Sequence, residues 1–423
     1  MPSARLREPA HAAQTASPTK AEVMAIDNRI APHEPPAFAL LVAAGRLQVG
    51  VGSVRAFEQA AGCVTDWFEV LQLANTHRMV ALVGSRLERL PAALIPADAT
   101  AAWRLARRAN AVEALRATGA LARVAAAFAQ AGVDALAYKG PALALAAYGD
   151  SGARTCVDLD FVVAPSEFRA ARRALVSAGL RSRSGMSPAQ EAVLFAAQGH
   201  AAMAWPSADE PFVELHWRFA SERVPWSPPV AEVCARAIRT RIGSTEVLAP
   251  CDADQVLLLA LHATRHHWEE LESLVAFATF LQRATLDSAA VWQRARDVGG
   301  CTALRIGAAL ARRVLGVSVP DGWALAPQAE LQVYALAQTV LEHWHRNGAW
   351  TEQEESAFEQ ACLERRRDRL RRGLVRTLYP SMREWELMRL PALLVPLYLL
   401  LRWARLAWRM VPRSVASWRR LIG

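Results

Sequence analysis

The sequence predicts an α+β fold: a small mixed sheet flanked by N-terminal and C-terminal helical regions. Three observations carry that expectation. From Ala37 to Ala131 apolar residues recur three and four apart, as in Trp67, Leu71 and Ala74, the spacing of helices with one buried face. The pattern then shortens to apolar runs bounded by turn residues, which read as strands at 134–139, 157–163, 199–205 and 211–217. After Asp252 the helical spacing returns and continues through Leu315.

A chain of 423 residues is too long for one ordinary core and suggests several subdomains. Its 53% hydrophobic content excludes wholesale disorder. A formal net charge of +9 favours polyanions, whether nucleotides, nucleic acid or anionic lipid. No RNA-binding module or basic-aromatic platform is recognisable, so nucleic acid is not expected as a partner. The six cysteines include no C-x-x-C pair, which suits a reduced, cytoplasmic protein. Residues 1–35 have no continuous apolar core and are rich in Pro, Ala, Ser and Thr; they read as a disordered leader, not a secretory signal.

Taken in order, 36–131 is an N-terminal helical region broken at Pro91 and Pro96. The core follows at 132–218. Its first apolar run ends in Lys139-Gly140-Pro141, and Asp158-Leu159-Asp160 opens the second. Strand side chains alternate faces, so Asp158 and Asp160 project together while Leu159 and Phe161 turn to the core. Two carboxylates so placed repel unless a cation joins them, and a hard divalent ion with oxygen ligands, Mg²⁺ above all, fits. Ser166 is the expected N-cap of a helix that Gly179 stops. Glu214 and His216 share a face of the last strand.

The order apolar strand, Lys-Gly, helix, Arg, Asp-x-Asp, apolar strand resembles the DNA polymerase beta-like nucleotidyltransferases. More narrowly, KGPALALAAYGDSGARTCVDLDFVV resembles an uncharacterised bacterial nucleotidyltransferase family. Asp66-Trp67-Phe68, Val213-Glu214-Leu215-His216-Trp217, His266-His267-Trp268 and Tyr379-Pro380 extend the likeness over roughly residues 37 to 410. The resemblance implies transfer of a nucleoside monophosphate from an NTP to an unidentified acceptor hydroxyl on a small molecule, sugar, peptide or protein. It assigns Asp158, Asp160 and Glu214 to catalysis and to Mg²⁺ (or Mn²⁺), with Lys139, Gly140, Arg154 and His216 at the nucleotide. Glu214 or His216 would take the acceptor's proton. The chain departs from the pattern at Pro141, where Ser is usual, at Ala276, where an acid is expected, and at Glu214, where Asp is commoner. Simpler readings make Lys139 a solvated strand end and pair Arg154 with Asp150 or Asp158. Two alternatives stand beside the enzyme: a catalytically silent nucleotide-binding scaffold, and a nucleic-acid-directed nucleotidyltransferase.

A C-terminal helical region is expected over 219–345, opened by a capping box at Asp252-Ala253-Asp254-Gln255. His262 and His266, four apart on that helix, either line the site or core or bind a transition metal. A basic helical tail follows at 346–423. Leu390 to Leu401 is uncharged but shorter than the roughly 20 residues a bilayer span needs. Beyond it Arg402, Arg405 and Arg409 form one stripe and Trp403, Leu406, Ala407 and Met410 another. Such a helix docks either on its own protein or, across 390–420, on an anionic membrane surface at the inner face.

Overall fold

The structure, a computed structural model, describes residues 34–410 apart from 197, 223, 225 and 347. The leader expected over 1–35, except for its last two residues, lies outside the described residues. Five helices come first: α1 (Pro36–Gln48), α2 (Val54–Gly62), α3 (Trp67–Thr76), α4 (Val80–Leu87) and the long α5 (Ala97–Gln130). Local chemistry sets their starts. Ser53 accepts the Ala56 N–H at the head of α2, Asp66 accepts those of Phe68 and Glu69 at the head of α3, and α5 starts directly after Pro96.

Seven strands form one mixed sheet in the order β3-β4-β5-β2-β1-β7-β6. They are β1 (Leu136–Ala137), β2 (Asp158–Val162), β3 (Arg181–Ser182), β4 (His200–Ala204), β5 (Phe212–His216), β6 (Ile238–Ile242) and β7 (Thr245–Ala249). The fold is therefore α+β, as the residue pattern predicts. β2 runs parallel to β5 and β1 parallel to β7; the other pairs are antiparallel. Three features were not expected, one being the short edge strand β3. The first strand shortens to two residues, and the β6–β7 hairpin falls within 219–345, a stretch read as helical. Gly243, at φ +60°, makes the tight Gly243-Ser244 turn of that hairpin, and Leu248 pairs with Leu136 to extend the sheet.

Helices α6 (Gly140–Tyr148) and α7 (Phe168–Ser177) follow β1 and β2. Ser166 does not cap α7: the helix begins two residues later behind a turn in which the Glu167 N–H bonds to the Ala164 carbonyl, and Gly179, at φ +96°, follows its end. One face of the sheet buries Leu159, Phe161, Val213 and Leu215 against α5, where Phe161 meets Phe128 edge-on at 5.3 Å. Alternation sends Asp158, Asp160 and Val162 to the other face.

On that second face Val162 joins a core shared by the N-terminal helices and the helices that follow the sheet. After α7 the helices are, in order, α8 (Pro188–Leu194), α9 (Val230–Ala235), α10 (Asp252–Arg265), α11 (Leu271–Leu281), α12 (Ser288–Val298), α13 (Cys301–Leu310), α14 (Pro327–Arg346), α15 (Glu352–Ala361), α16 (Arg366–Leu378), α17 (Met382–Leu387) and α18 (Leu397–Met410). No capping box opens α10; its acids are instead held by arginines, Asp252 by Arg283 and Asp254 by Arg236 and Arg294 at 2.9 Å. Among the described residues no helix is long and apolar enough to cross a membrane. α18 docks on the protein through its arginines. Arg402 is buried between Glu384 and the Arg376 carbonyl, and Arg405 bonds Glu384 at 2.6 Å, so these two do not form an outward stripe.

Candidate functional site

The parallel pairing of β2 with β5 puts Asp160 directly beside Glu214, and the pleat puts Asp158 on the same side. Lys139 leaves β1, the other neighbour of β2, and enters through Gly140 at φ +60°. A Cβ at Gly140 would touch the Asp158 carbonyl oxygen at 3.5 Å, and the left-handed backbone there favours glycine. These turns line a pocket of about 190 Å³ with Lys139, Gly140, Arg154, Asp158, Asp160 and Glu214. His216 stands elsewhere. It is 2% exposed and lies behind the carboxylates, its Nε2 at 3.0 Å from Asp160 Oδ1 and 3.2 Å from Glu214 Oε2. His216, expected at the nucleotide, is not among the residues that line the pocket and contacts the two acids.

Lys139 is not a solvated strand end. Its ammonium is buried and bonds Asp160 Oδ1 at 2.9 Å. Burial alone would raise the Asp160 carboxyl, but Lys139 and His216 outweigh it and hold the group well below the usual carboxylate range. Asp158 responds the other way. Burial and the Asp160 charge push its carboxyl up to about 6, against the lowering effect of Lys139. Glu214 resists burial through the His216 bond and nearby His200, and its value falls. Burial opposes the charged form of His216, yet bonds to Asp160 and Glu214 raise its value, whereas burial pulls His200 down to about 4. At neutral pH Glu214 is thus ionised and His200 neutral beside it, with 3.9 Å between His200 Nε2 and Glu214 Oε1.

Arg154 pairs with neither Asp150 nor Asp158. Its Nε donates to Glu272 Oε2 at 2.7 Å, and Tyr148 donates to the other oxygen of Glu272 at 2.7 Å. Burial disfavours the Arg154 charge, but Glu272 more than offsets it, so the guanidinium stays charged on the pocket wall. Arg78, in left-handed backbone at φ +54° just past α3, closes another side through a 2.6 Å bridge to Glu270. His262 and His266 also line the pocket, their rings 4.5 Å apart, and burial drives both toward the neutral form.

A pocket floored by clustered acids and ringed by Lys139, Arg78, Arg154 and Arg265 suits a cation together with a phosphate chain. A family model described as an uncharacterised nucleotidyltransferase matches residues 64–316, more than half of the chain and every pocket residue named above. The chain belongs to that family. No curated protein and no solved structure matches it. The match is narrower than the 37–410 resemblance, and helices α14 to α18 lie beyond it.

The nucleotidyltransferase's donor set fits a hard divalent cation. Asp160 Oδ2 is buried without a hydrogen-bond partner, and Asp158 and Glu214 offer further carboxylate oxygens to the same pocket. Ligand atoms of His200, Glu214 and His216 also lie within 4.8 Å of one another. Among the residues of this site not read from the sequence are Arg78, Arg265, His200, Tyr148, Glu270 and Glu272. Only Glu272 had a signal there, since it lies on the helix where an acid is expected, one turn before Ala276.

Proposed function

We propose that this nucleotidyltransferase moves a nucleoside monophosphate from an NTP to an acceptor hydroxyl, with Mg²⁺ or Mn²⁺ held by Asp158, Asp160 and Glu214, on a polymerase beta-like plan. The observation that carries this reading is the buried, unpartnered Asp160 Oδ2 beside two more carboxylates on one face of the sheet. Bound there, the cation would neutralise the acids and the phosphate chain and polarise the transferring group. Arg154 and the N-terminus of α6 present positive charge to the phosphates, and Lys139, bonded to Asp160 Oδ1, lines the same pocket. The acceptor oxygen bonds to the α-phosphorus as the bond from that phosphorus to the pyrophosphate bridging oxygen breaks. Pyrophosphate leaves with the electron pair, and Glu214 takes the acceptor's proton, steadied by His216.

The test is thermal unfolding of the full chain with each NTP, with and without Mg²⁺ or Mn²⁺. NTP and metal together should stabilise it by about 2.7 kcal/mol at a hundred times the dissociation constant. Asp160→Asn should lose most of that shift together with transfer of label from α-labelled NTP. A wild-type melting temperature indifferent to every combination would leave the silent scaffold in its place.

Peripheral contact with an anionic membrane is part of the same proposal, by a different surface from the arginine stripe. Leu370, Leu374 and Leu378 on α16 and Leu400, Trp403 and Trp408 on α18 are exposed, and Trp403 Nε1 bonds the Thr377 carbonyl, joining the two helices side by side. Leu393, 93% exposed, projects from the loop between α17 and α18. Exposed Arg366, Arg367 and Arg389 belong to the same segment and complement acidic headgroups. Residues 411–420 of the expected contact lie outside the described residues. Full-length protein should sediment with phosphatidylglycerol vesicles, and Leu393→Glu with Trp408→Ala should release it; equal sedimentation of both proteins would refute the contact.

A further inference from the structure

We infer that the acceptor is a hydroxyl-bearing small molecule carrying a phosphate, bound in a second cleft that opens onto Glu214; this rests on the nucleotidyl-transfer reading above. The cleft measures about 450 Å³, within the range of small-molecule sites. His200 and Arg265 form its inner end, Gln198, Ser221 and Val224 line it from the core side, and the segment from α15 to α18 supplies most of the rest. Two contacts make it continuous with the catalytic pocket. Arg265 lines both spaces, and His200 reaches the Glu214 carboxylate. A hydroxyl at the inner end would therefore lie beside His200 and Arg265, next to the Glu214 carboxylate, with the body of the molecule outward.

The charges of the cleft define that body. Most of its arginines are engaged: Arg372 by Glu359, Arg383 by Glu352 and Arg405 by Glu384. Two are not neutralised in this way. Among the described residues Arg376 and Arg265 have no carboxylate partner; Arg376 donates to Ser356 Oγ at 3.2 Å and Arg265 meets His266 Nε2 at 3.1 Å. Two guanidiniums without counter-ions, on different helices of one cleft, match a doubly charged phosphate, which accepts their paired N–H donors. Glu355, which has no arginine bridge among the described residues, lines the same cleft and can accept hydroxyls of a polyol. Arg376 and Glu355 lie outside 64–316 and Arg265 lies within it, so the family match reaches only one of the two guanidiniums.

The phosphate can sit on a soluble polyol or on a lipid headgroup, and the experiment separates them. Binding of sugar and polyol phosphates and of their unphosphorylated parents, glycerol 3-phosphate and glycerol among them, is measured calorimetrically on the full chain. Vesicles of phosphatidylglycerol form the lipid arm. Phosphorylated probes should bind better than their parents. Arg376→Ala should weaken them about tenfold or more, the scale of a charge-assisted hydrogen bond, with Arg376→Lys between. The NTP-plus-metal melting shift should stay at its wild-type value in both variants. Loss of vesicle binding in Arg376→Ala assigns the phosphate to lipid; loss confined to soluble probes assigns it to a free polyol. No preference for phosphate across the panel, or wild-type binding in Arg376→Ala, overturns the inference. If phosphate selectivity persists while no NTP and metal combination shifts the melting temperature, the cleft stands and the transfer reading falls.

Discussion

Asp158 shows how the site works against the stability of its own fold. Its folded value, about 6, lies above the ordinary 3.8, so its favourable contribution is complete below pH 4 and is lost as pH rises through 6. Asp160 has a depressed value and opposes this only below the ordinary carboxylate range. In the absence of metal, Asp158→Asn should therefore melt higher than wild type at pH 7 by up to roughly 2 kcal/mol, and the gap should close by pH 4. A gap that does not change with pH would contradict this assignment of the charge. Glu272 gives the opposite case. Glu272→Gln leaves Arg154 buried without its counter-ion, so urea unfolding should show a loss of roughly 3 kcal/mol; a change below about 0.5 kcal/mol would mean the pair is solvated.

At the scale of elements, the turn from β1 into α6 is constrained by backbone conformation. Gly140 combines a left-handed backbone with close approach to the Asp158 carbonyl, so Gly140→Ala should cost about 1–2 kcal/mol and depress NTP affinity by displacing the head of α6. Unchanged stability would show that the turn relaxes freely. The Lys-Gly turn, the Asp-x-Asp strand and the Glu214 strand were all legible in the sequence, because alternation and turn residues are local signals. The β6–β7 hairpin was not read, although Gly243-Ser244 between two β-branched runs signals it. The orientation of α18 could not be read at all. Its two stripes are equally regular, and only Glu384, buried on α17, decides that Arg402 and Arg405 face inward.

For the whole molecule, the largest core runs without a break from Ala37 on α1 to Leu363 beyond α15, so the N-terminal helices and the C-terminal helices share one interior. They also meet at the site, where the Glu272 N–H bonds the His77 carbonyl and the Leu271 N–H bonds His77 Nδ1 at 3.3 Å. Helical content and tryptophan fluorescence should therefore report one coincident thermal transition for this body. Two separated transitions, with only one sensitive to NTP and metal, would show that the helices on the two sides of the sheet unfold independently.

The sequence by itself determined the α+β class, the strand that carries Asp158 and Asp160, and the glycine turn beside it, since period and turn chemistry are written within a few residues. Tertiary structure alone decided which charges answer one another. Arg154 meets Glu272 across 118 residues, Lys139 turns inward onto Asp160, and Arg265 joins the pocket to the second cleft. Each of those pairings depends on where distant segments are brought by the sheet order and the shared core, and no local spacing encodes that.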